Sequence, residues 1–361
     1  MVGLSMVVTC YNLEKYIEES LRSVFAQDYN GPMEVIIIDD ASRDNSVQVI
    51  ESTIKKYGAG WDITFLRNEK NLGVSGATDR GWQLAKYDWI IEIDGDDVQY
   101  PDRCTKTARL IEKYPNAGAI FMSFSCIDSA GRGNWISYMI KDNSDSVFCA
   151  VTPHERADIF MERKEKSAVA RGAYGCSFAI NKKVVKLWGH LNSDHIKCFA
   201  QDPPWELRAF LSQSIVWSNQ LACKYRSHST NILNYERKCD TIEDCIKNEL
   251  SMCDYDKKEL QALGRMIADV KLALTYNSYS DWDKNDLNSC LKMLKQYELA
   301  RTVRSDWWAS WVIKRVYLLI RNWNNLPLVF KRCLIPRLVP LRLFAWLKMR
   351  KRRIDIEDKN T

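Results

Sequence analysis

The chain has 361 residues, of which 46% are hydrophobic and 27% are charged. This composition is typical of a globular protein and excludes a disordered one, and the length allows one large domain or two ordinary ones. No apolar run approaches the roughly 20 residues of a membrane-spanning helix, and the N-terminus lacks the basic start of a signal peptide. We therefore expect a cytoplasmic protein. The net charge of +6 is uneven, because residues 301–361 hold 15 Lys and Arg against 4 Asp and Glu.

Strand-like and helix-like segments alternate along the first 127 residues. Short apolar or β-branched runs predict strands at 3–9, 33–39, 63–68, 89–94 and 117–127. Helical spacing of apolar residues and capping signals predict helices at 13–27, 42–58, 74–86 and 102–114. Strands that alternate with helices of this length indicate βαβ units, so the sequence predicts an α/β fold with a mostly parallel sheet.

The pattern changes after residue 127. Regularity fades between 128 and 172, and from about 240 the pattern is helical to the end. Between these parts, the sequence predicts a strand and a short helix at 172–189, a helix at 203–213, and one or two strands at 214–229. We therefore divide the chain into an α/β domain, 1–235, and a helical, basic C-terminal region, 236–361.

Acidic and small polar residues follow three of the predicted strands. The strand exits read "TCYN" (9–12), "DDAS" (39–42) and "DGDD" (94–97). Ligands bind outside the carboxyl ends of strands in sheets of this class. The carboxylates of "DGDD" repel one another unless a cation joins them, which predicts Mg²⁺ or Mn²⁺ bound together with substrate phosphates. The alternative interpretations are an Asp/Gly turn for "DGDD" and a helix N-cap for "DDAS".

Two common phosphate-binding signatures are missing from the sequence. The first predicted strand is followed by "CYNLEKY", which lacks the glycines of a dinucleotide-binding loop, and no Walker loop occurs. Phosphate charge must therefore be met by a metal ion and basic side chains, not by a glycine-rich backbone.

Taken together, these stretches resemble the opening of the family 2 glycosyltransferases, which have the GT-A fold. The resemblance spans about residues 3–127 and includes "EVIIIDDASRDNSVQVI" and "RNEKNLGVSGATDRGWQLAKYDWIIEIDGDDVQYPDR". It implies inverting transfer of a sugar from a nucleotide-diphosphate sugar, a UDP-sugar in the first instance, to a hydroxyl acceptor. The implied acceptor is a glycan or lipid-linked glycan of the cell-surface polysaccharide type, and the implied cofactor is Mn²⁺ or Mg²⁺.

The resemblance also implies roles for single residues. Nucleotide-sugar binding is expected of Thr9, Tyr11, Asn12, Asp39, Asp40, Lys70, Asp94 and Asp96. Metal binding is expected of Asp96, Asp97 and His228. The stretch "FAQDPPWE" resembles the later acidic motif of the family, so Asp202 is the expected catalytic base. The alternatives are an N-cap role for Asp202 and a surface-loop role for the histidine.

The chain departs from the family pattern at two places. Gln201 stands where the family usually has Glu, directly before the expected base. Thr78 and Asp79 stand where the family often has Arg-Asn, so a phosphate or base contact is either lost or supplied by Arg80 or Lys70.

The basic C-terminal region has a mixed character. Tryptophans and aliphatic residues fall on one helical face of 305–325, and 341–353 ends in a basic cluster. This composition is typical of a helix packed on the catalytic domain, and equally of an interfacial helix on anionic lipid. No nucleic-acid-binding module is present. The second interpretation predicts peripheral attachment, through residues 305–353, to the inner face of the plasma membrane.

Two rival functions remain to be weighed. A sugar-nucleotide pyrophosphorylase would need a Gly- and Arg-rich loop after the first strand, and this chain has none. A non-catalytic scaffold of the same fold would bind membrane or a partner through the C-terminal region, but it would not need acidic strand exits. Binding of a nucleoside diphosphate that depends on metal distinguishes the scaffold from the enzyme.

Overall fold

A computed structural model provides the fold of the protein. It describes residues 1–133, 135–137, 147–166, 175–189, 202–228 and 241–305, with the single positions 322, 324 and 334. Within these residues, no helix is long and apolar enough to cross a membrane. The predicted helix at 305–325 and the basic cluster at 341–353 lie almost wholly outside the described residues.

The described strands form one sheet. They are β1 (Leu4–Cys10), β2 (Met33–Asp39), β3 (Ile63–Arg67), β4 (Trp89–Asp94), β5 (Val98–Gln99), β6 (Ala117–Ile127), β7 (Trp135–Ser137), β8 (Val147–Ala150), β9 (Phe178–Asn181) and β10 (Ser214–Arg226). Their order is β3-β2-β1-β4-β9-β6-β10-β5, with β7 paired to β6 and β8 paired to β10. The β3-β2-β1-β4 half and the β6–β10 pair are parallel, which confirms the predicted mostly parallel α/β sheet.

Helices cover both faces of the sheet. They are α1 (Ile17–Phe25), α2 (Ser46–Tyr57), α3 (Gly73–Leu84), α4 (Arg103–Lys113), α5 (Pro153–Lys166), α6 (Lys182–Trp188), α7 (Asp202–Ser212), α8 (Ile242–Thr275) and α9 (Lys284–Ser305). Side chains of α1, α2 and α4 are buried on one face. Side chains of α3 and of α5 to α9 are buried on the other. Strands covered on both faces need continuous apolar runs, as the sequence has at β2, β4 and β6.

Two helices begin later than predicted, α1 at residue 17 and α2 at residue 46. The preceding loops hydrogen-bond to each other: the Asn12 N–H donates to Ser42 Oγ at 2.9 Å, and the Leu13 N–H donates to Ser46 Oγ at 2.8 Å. Asn12 and Ala41 have left-handed backbones, with φ of 54° and 61°. The residues that read as first helical turns therefore form two interlocked strand-exit loops.

The segment that was expected to be irregular contains regular structure. Helix α5 occupies 14 residues of it, and β7 and β8 are short antiparallel strands on β6 and β10. The sequence of α5 is highly charged, and one of its buried positions is Arg156, whose guanidinium donates to the Phe210 carbonyl at 2.9 Å. A charged residue on the buried face obscured the apolar stripe that would have predicted this helix.

The C-terminal helices share a hydrophobic core with the sheet domain. Met266 and Val270 of α8 lie in the same buried cluster as Trp205 of α7. Arg208 of α7 donates to Asp269 of α8 at 2.8 Å, and both side chains are almost completely buried. The boundary that the sequence placed near 235 therefore separates two segments with one continuous core.

Candidate active site

The register of the sheet brings the acidic strand exits to one level. Cys10 of β1 pairs with Asp39 of β2, and Thr9 pairs with Asp94 of β4. Immediately after β4, the Gly95 N–H donates to the Thr9 carbonyl at 2.9 Å. A Cβ added at Gly95 would lie 2.7 Å from that carbonyl oxygen, so only glycine allows the "DGDD" turn to lie this close to β1.

The two aspartates at the end of β2 are both buried and hydrogen-bonded. Asp40 accepts from the Asn68 side chain at 2.7 Å, from the Leu72 N–H at 2.8 Å and from the Gly73 N–H at 2.9 Å. A carboxylate has about four acceptor positions, so one remains for a ligand. Asp39 Oδ2 accepts from the Ser42 N–H at 3.0 Å, while its Oδ1 has no hydrogen-bond partner among the described residues.

Other predicted nucleotide-binding residues line the same edge. Tyr11 is 41% exposed at the end of β1, and Thr9 is buried beside it. The Asn12 side chain is used within the protein, because its Oδ1 accepts from the Arg43 N–H at 2.8 Å. Lys70 is exposed in the loop before α3. A flat, exposed tyrosine ring at this edge is suited to stacking on a nucleotide base.

The structure distinguishes among the residues at the departure from the family pattern. Thr78 is buried and donates to Glu92 at 2.8 Å, so it faces the interior beneath β4. Arg80 hydrogen-bonds to Asn68, whose own amide is bonded to Asp40. Arg80 is therefore connected through Asn68 to Asp40, at the carboxyl end of β2.

A long strand brings the late histidine back to the "DGDD" turn. β10 runs parallel to β6 and then pairs antiparallel with β5, the two-residue strand directly after the turn. His228 follows the end of β10, and its Nε2 lies 2.8 Å from Asp96 Oδ2. Residues 132 positions apart in the sequence thus meet at one point. Both were predicted metal ligands.

Asp97, the third predicted metal ligand, does not join this pair. Its side chain is fully buried, and its Oδ1 accepts from the Arg226 N–H at 2.8 Å. Within the described residues, Asp97 groups instead with the thiols of Cys176 and Cys223, all three ligand atoms lying within 4.8 Å of one another. Burial, followed by the charge of Asp96, raises the pKa of Asp97 well above its usual range. This position is suited to holding the start of the His228 segment.

The predicted base lies at the N-terminal end of α7 and is fixed by a residue that the sequence analysis did not single out. The Gly175 N–H donates to Asp202 Oδ2 at 3.0 Å, and Asp202 Oδ1 has no hydrogen-bond partner among the described residues. A Cβ at Gly175 would lie 2.5 Å from Oδ1. Burial raises the pKa of Asp202 to about 6, against the effect of the Gly175 hydrogen bond. Such a carboxylate is ionised at neutral pH and still basic enough to take a proton.

Asp94 is the last residue of β4, directly before the turn. Burial raises its pKa, the carboxylates of Asp96 and Asp202 raise it further, and the Arg103 guanidinium lowers it. β9 runs antiparallel to β4, with Ala179 opposite Ile91, so the start of β9 lies at the carboxyl end of β4. Gly175, just before β9, therefore brings Asp202 to the same edge of the sheet as the turn. The site therefore combines acidic oxygens, an imidazole and a separately held carboxylate at the carboxyl edge of the sheet.

The donor atoms at the turn fit the divalent cation that the resemblance implies. Asp96 Oδ2 and His228 Nε2 are 2.8 Å apart, and neighbouring ligands of one ion lie about 3 Å apart when metal–ligand distances are about 2.1 Å. The carboxylate oxygen is a suitable ligand for both Mn²⁺ and Mg²⁺, and the imidazole nitrogen favours Mn²⁺ over the harder Mg²⁺. Two protein ligands leave coordination positions for the phosphate oxygens of a substrate.

Comparison with known families agrees with this geometry. The model of glycosyl transferase family 2 matches residues 5–188, just over half of the chain. The chain belongs to glycosyl transferase family 2. This membership confirms the resemblance seen in the sequence. The matched range contains the three acidic strand exits, whereas Asp202 and His228 lie beyond it.

Curated relatives of this family 2 chain align with about a third of it. A glycosyltransferase of Haemophilus influenzae is 31% identical over 123 residues, which cover 34% of this chain and 39% of the relative. The poly-beta-1,6-N-acetyl-D-glucosamine synthase of Staphylococcus epidermidis is 30% identical over 118 residues, which cover 33% of this chain and 27% of the relative. The alignments thus span well under half of these relatives.

Solved structures extend the likeness of the fold to nearly the whole chain. S. aureus TarS 1–349 in complex with UDP aligns with a TM-score of 0.57 at 16% identity, covering 96% of this chain and 88% of that one. The complex of the same protein with UDP-GlcNAc gives a TM-score of 0.56 at 17% identity, with the same coverage. The GT-A fold expected from the sequence is confirmed.

Proposed function

We propose that this family 2 chain transfers a sugar from a UDP-sugar to a hydroxyl group of a growing glycan, with inversion at the anomeric carbon and with Mn²⁺ or Mg²⁺ bound. The observation that carries the proposal is the contact between Asp96 and His228 at the same sheet edge as the separately held Asp202. A scaffold without activity would not need a buried carboxylate such as Asp202 at the same sheet edge as a possible metal-ligand pair.

The donor is the best supported part of the substrate assignment. A fold neighbour has been solved with UDP and with UDP-GlcNAc. In this chain, Tyr11 offers an exposed ring for the base, and Asp40 retains one acceptor position for a base N–H. Asp94 and Asp96, at the end of β4 beside β1, would meet the ribose and the diphosphate, as the resemblance implies.

The mechanism assigns separate tasks to the two carboxylate positions. Asp96 and His228 would hold the cation, which neutralises the charge that develops on the leaving diphosphate. Asp202 Oδ1 accepts the proton of the acceptor hydroxyl, while Oδ2 stays on the Gly175 N–H. With Asp202 as the base, the acceptor oxygen attacks the anomeric carbon directly while the bond to the diphosphate breaks on the opposite face, which gives the inversion that the family resemblance implies.

The acceptor assignment depends on composition and on a relative. A poly-beta-1,6-N-acetyl-D-glucosamine synthase is among the similar proteins, which supports a glycan acceptor. Residues 301–361 hold five of the thirteen tryptophans and a net charge of +11, which supports adsorption to an anionic membrane that carries a lipid-linked acceptor.

The experiment is a donor panel with purified protein. UDP-sugars and GDP-sugars are incubated with Mn²⁺, and release of the nucleoside diphosphate is measured with and without excess chelator. We expect release from a UDP-sugar that requires metal and is abolished by Asp96→Asn. Absence of both metal-dependent UDP binding and turnover of any donor, in the presence of glycan acceptors, would favour the scaffold. Undiminished turnover in chelator would overturn the metal assignment.

A further inference from the structure

Arg226, the last residue of β10, and His228, which follows it, form a cluster next to the "DGDD" turn. Arg226 and His228 are both buried, at 1% and 5% exposure. They contact the turn on one side and the start of α1 on the other. Neither the family resemblance nor the strand pattern assigned a role to Arg226 or to the α1 residues that touch it.

Arg226 makes a fan of directed contacts. Its Nε donates to the Asp96 carbonyl at 2.8 Å, and its Nη2 donates to Glu19 Oε2 at 2.6 Å. Its backbone N–H donates to Asp97 Oδ1 at 2.8 Å. The planar guanidinium reaches the Asp96 carbonyl and Glu19 at once, and it also places a permanent positive charge beside the acidic turn.

Tyr16 supplies the opposite wall of the cluster. Its ring stacks on the His228 imidazole with centroids 4.5 Å apart and planes 26° apart. The Arg226 guanidinium lies 5.2 Å from the centre of the same ring. One tyrosine thus limits the rotation of the imidazole and of the guanidinium beside it.

We propose that Tyr16 and Arg226 are positioning residues that hold His228 Nε2 and Asp96 Oδ2 in a preformed arrangement for the divalent cation. This inference rests on the metal-dependent function proposed above. A ligand pair that is already oriented loses little conformational freedom when it binds the ion. Mutation of the residues that hold metal ligands in place typically lowers metal affinity by about 10- to 100-fold.

The test measures Mn²⁺ binding directly, without turnover. Mn²⁺ is titrated into the full-length protein in the presence of UDP, and free Mn²⁺ is followed by its electron paramagnetic resonance signal. We expect Tyr16→Leu to weaken Mn²⁺ binding about tenfold, because the stacked wall is lost. Tyr16→Phe keeps the ring and should stay within about twofold of the wild type. Tyr57→Leu is the matched control, since Tyr57 contacts Arg22 and Lys56 away from the site.

A second variant avoids a disturbed core. The Glu19 side chain is 57% exposed, so Glu19→Gln should fold normally while weakening the hold on the Arg226 guanidinium. We expect about threefold weaker Mn²⁺ binding and unchanged UDP binding in the absence of metal. Wild-type Mn²⁺ affinity in both Tyr16→Leu and Glu19→Gln would overturn the positioning role.

His228→Ala separates the two levels of the proposal. If this variant loses Mn²⁺ binding while Tyr16→Leu and Glu19→Gln do not, the ligand assignment stands and the positioning role fails. If His228→Ala binds Mn²⁺ like the wild type, or if the wild type binds none, the metal part of the proposed function fails, and the positioning role fails with it.

Discussion

The site has two parts, which hold their carboxylates in different ways. We call the ends of β1 and β2, with Asp39 and Asp40, the nucleotide edge, and the "DGDD" turn with the start of α7 the catalytic edge. On the nucleotide edge, Asp40 accepts three hydrogen bonds from the segment that leads into α3. Asp39 beside it accepts one hydrogen bond, and its charge is balanced by the Arg67 guanidinium, 3.6 Å away. On the catalytic edge, Asp97 and Asp202 are buried with one hydrogen bond each among the described residues, and burial raises the pKa of both.

This difference teaches how the site divides its work. Carboxylates surrounded by donors are fixed in place and serve as a rigid frame for a ligand. Buried carboxylates with few donors are costly as anions, so a cation or a proton that reaches them is held strongly. The nucleotide edge should therefore govern donor affinity, and the catalytic edge should govern turnover.

The strongest test of that division is Asp202→Asn. Asparagine keeps an oxygen for the Gly175 N–H but cannot take the acceptor proton, so we expect kcat to fall by at least about a hundredfold. UDP affinity, measured by calorimetry, should change by less than about twofold. A variant that loses stability yet keeps its turnover would show that Asp202 is only a helix cap.

Gly175→Ala tests whether the placement of that base matters. The added Cβ would lie within 2.8 Å of all three carboxyl atoms of Asp202, so the carboxylate must move, and we expect kcat to fall about tenfold or more. Gly264→Ala on α8 is the control, because a Cβ there meets nothing within 4 Å. Equal kcat in the two variants would mean that the Gly175 contact does not position the base.

The pH dependence of kcat should report the catalytic edge alone. Asp202 works as a base only when it is ionised, and its pKa is raised to about 6. With donor and Mn²⁺ saturating, kcat should therefore be flat above pH 7 and should fall about tenfold per pH unit below 6. The residual activity of Asp202→Asn should lack this limb. A wild-type kcat that is unchanged at pH 5 would contradict the assignment.

Tyr11→Ala probes the nucleotide edge. Loss of a stacked base costs roughly 1 to 3 kcal/mol, so we expect UDP to bind about tenfold more weakly, with or without Mn²⁺. Because the ring is 41% exposed, the fold should be unaffected, and kcat at saturating donor should match the wild type. A fall in kcat with unchanged affinity would reverse the division between the edges.

The smallest effect on turnover is expected from removal of the basic tail after residue 305. Hydrolysis of donor in solution should change by less than about twofold, since the described site lies before that point. The intact chain should sediment with anionic vesicles at low salt and be partly released at high salt, whereas the shortened chain should stay in solution. If the intact chain ignores such vesicles, the lipid-linked acceptor loses its main support.

Much of the nucleotide edge could be predicted because its signals are local. The strands at 33–39, 89–94 and 117–127 have the predicted bounds, since continuous apolar runs end at clear polar residues. The helix starts were wrong at α1 and α2, where two loops bond to each other instead of continuing the helix.

The catalytic edge could be predicted only in part, because it is assembled from distant segments. The family resemblance pointed to Asp202 and His228, whose roles stay predictions, but it did not single out Gly175, Tyr16 or Arg226. The sequence does show a glycine before the short strand β9 and the stretch "YRSH" at the end of β10. These residues act through contacts 27 and 207 positions away in the sequence, and no local hydrophobic pattern marks such contacts.

The Arg208–Asp269 pair has a consequence for anyone who wishes to exchange or shorten parts of this enzyme. Cutting near 235 would remove Asp269 and leave a guanidinium stranded in an apolar interior, on the same helix that begins with the base. Swapping the C-terminal half for that of another transferase would carry the same hazard unless the acidic partner came with it. Any exchange of the C-terminal helices therefore has to keep an acidic partner for Arg208, or replace both members of the pair together.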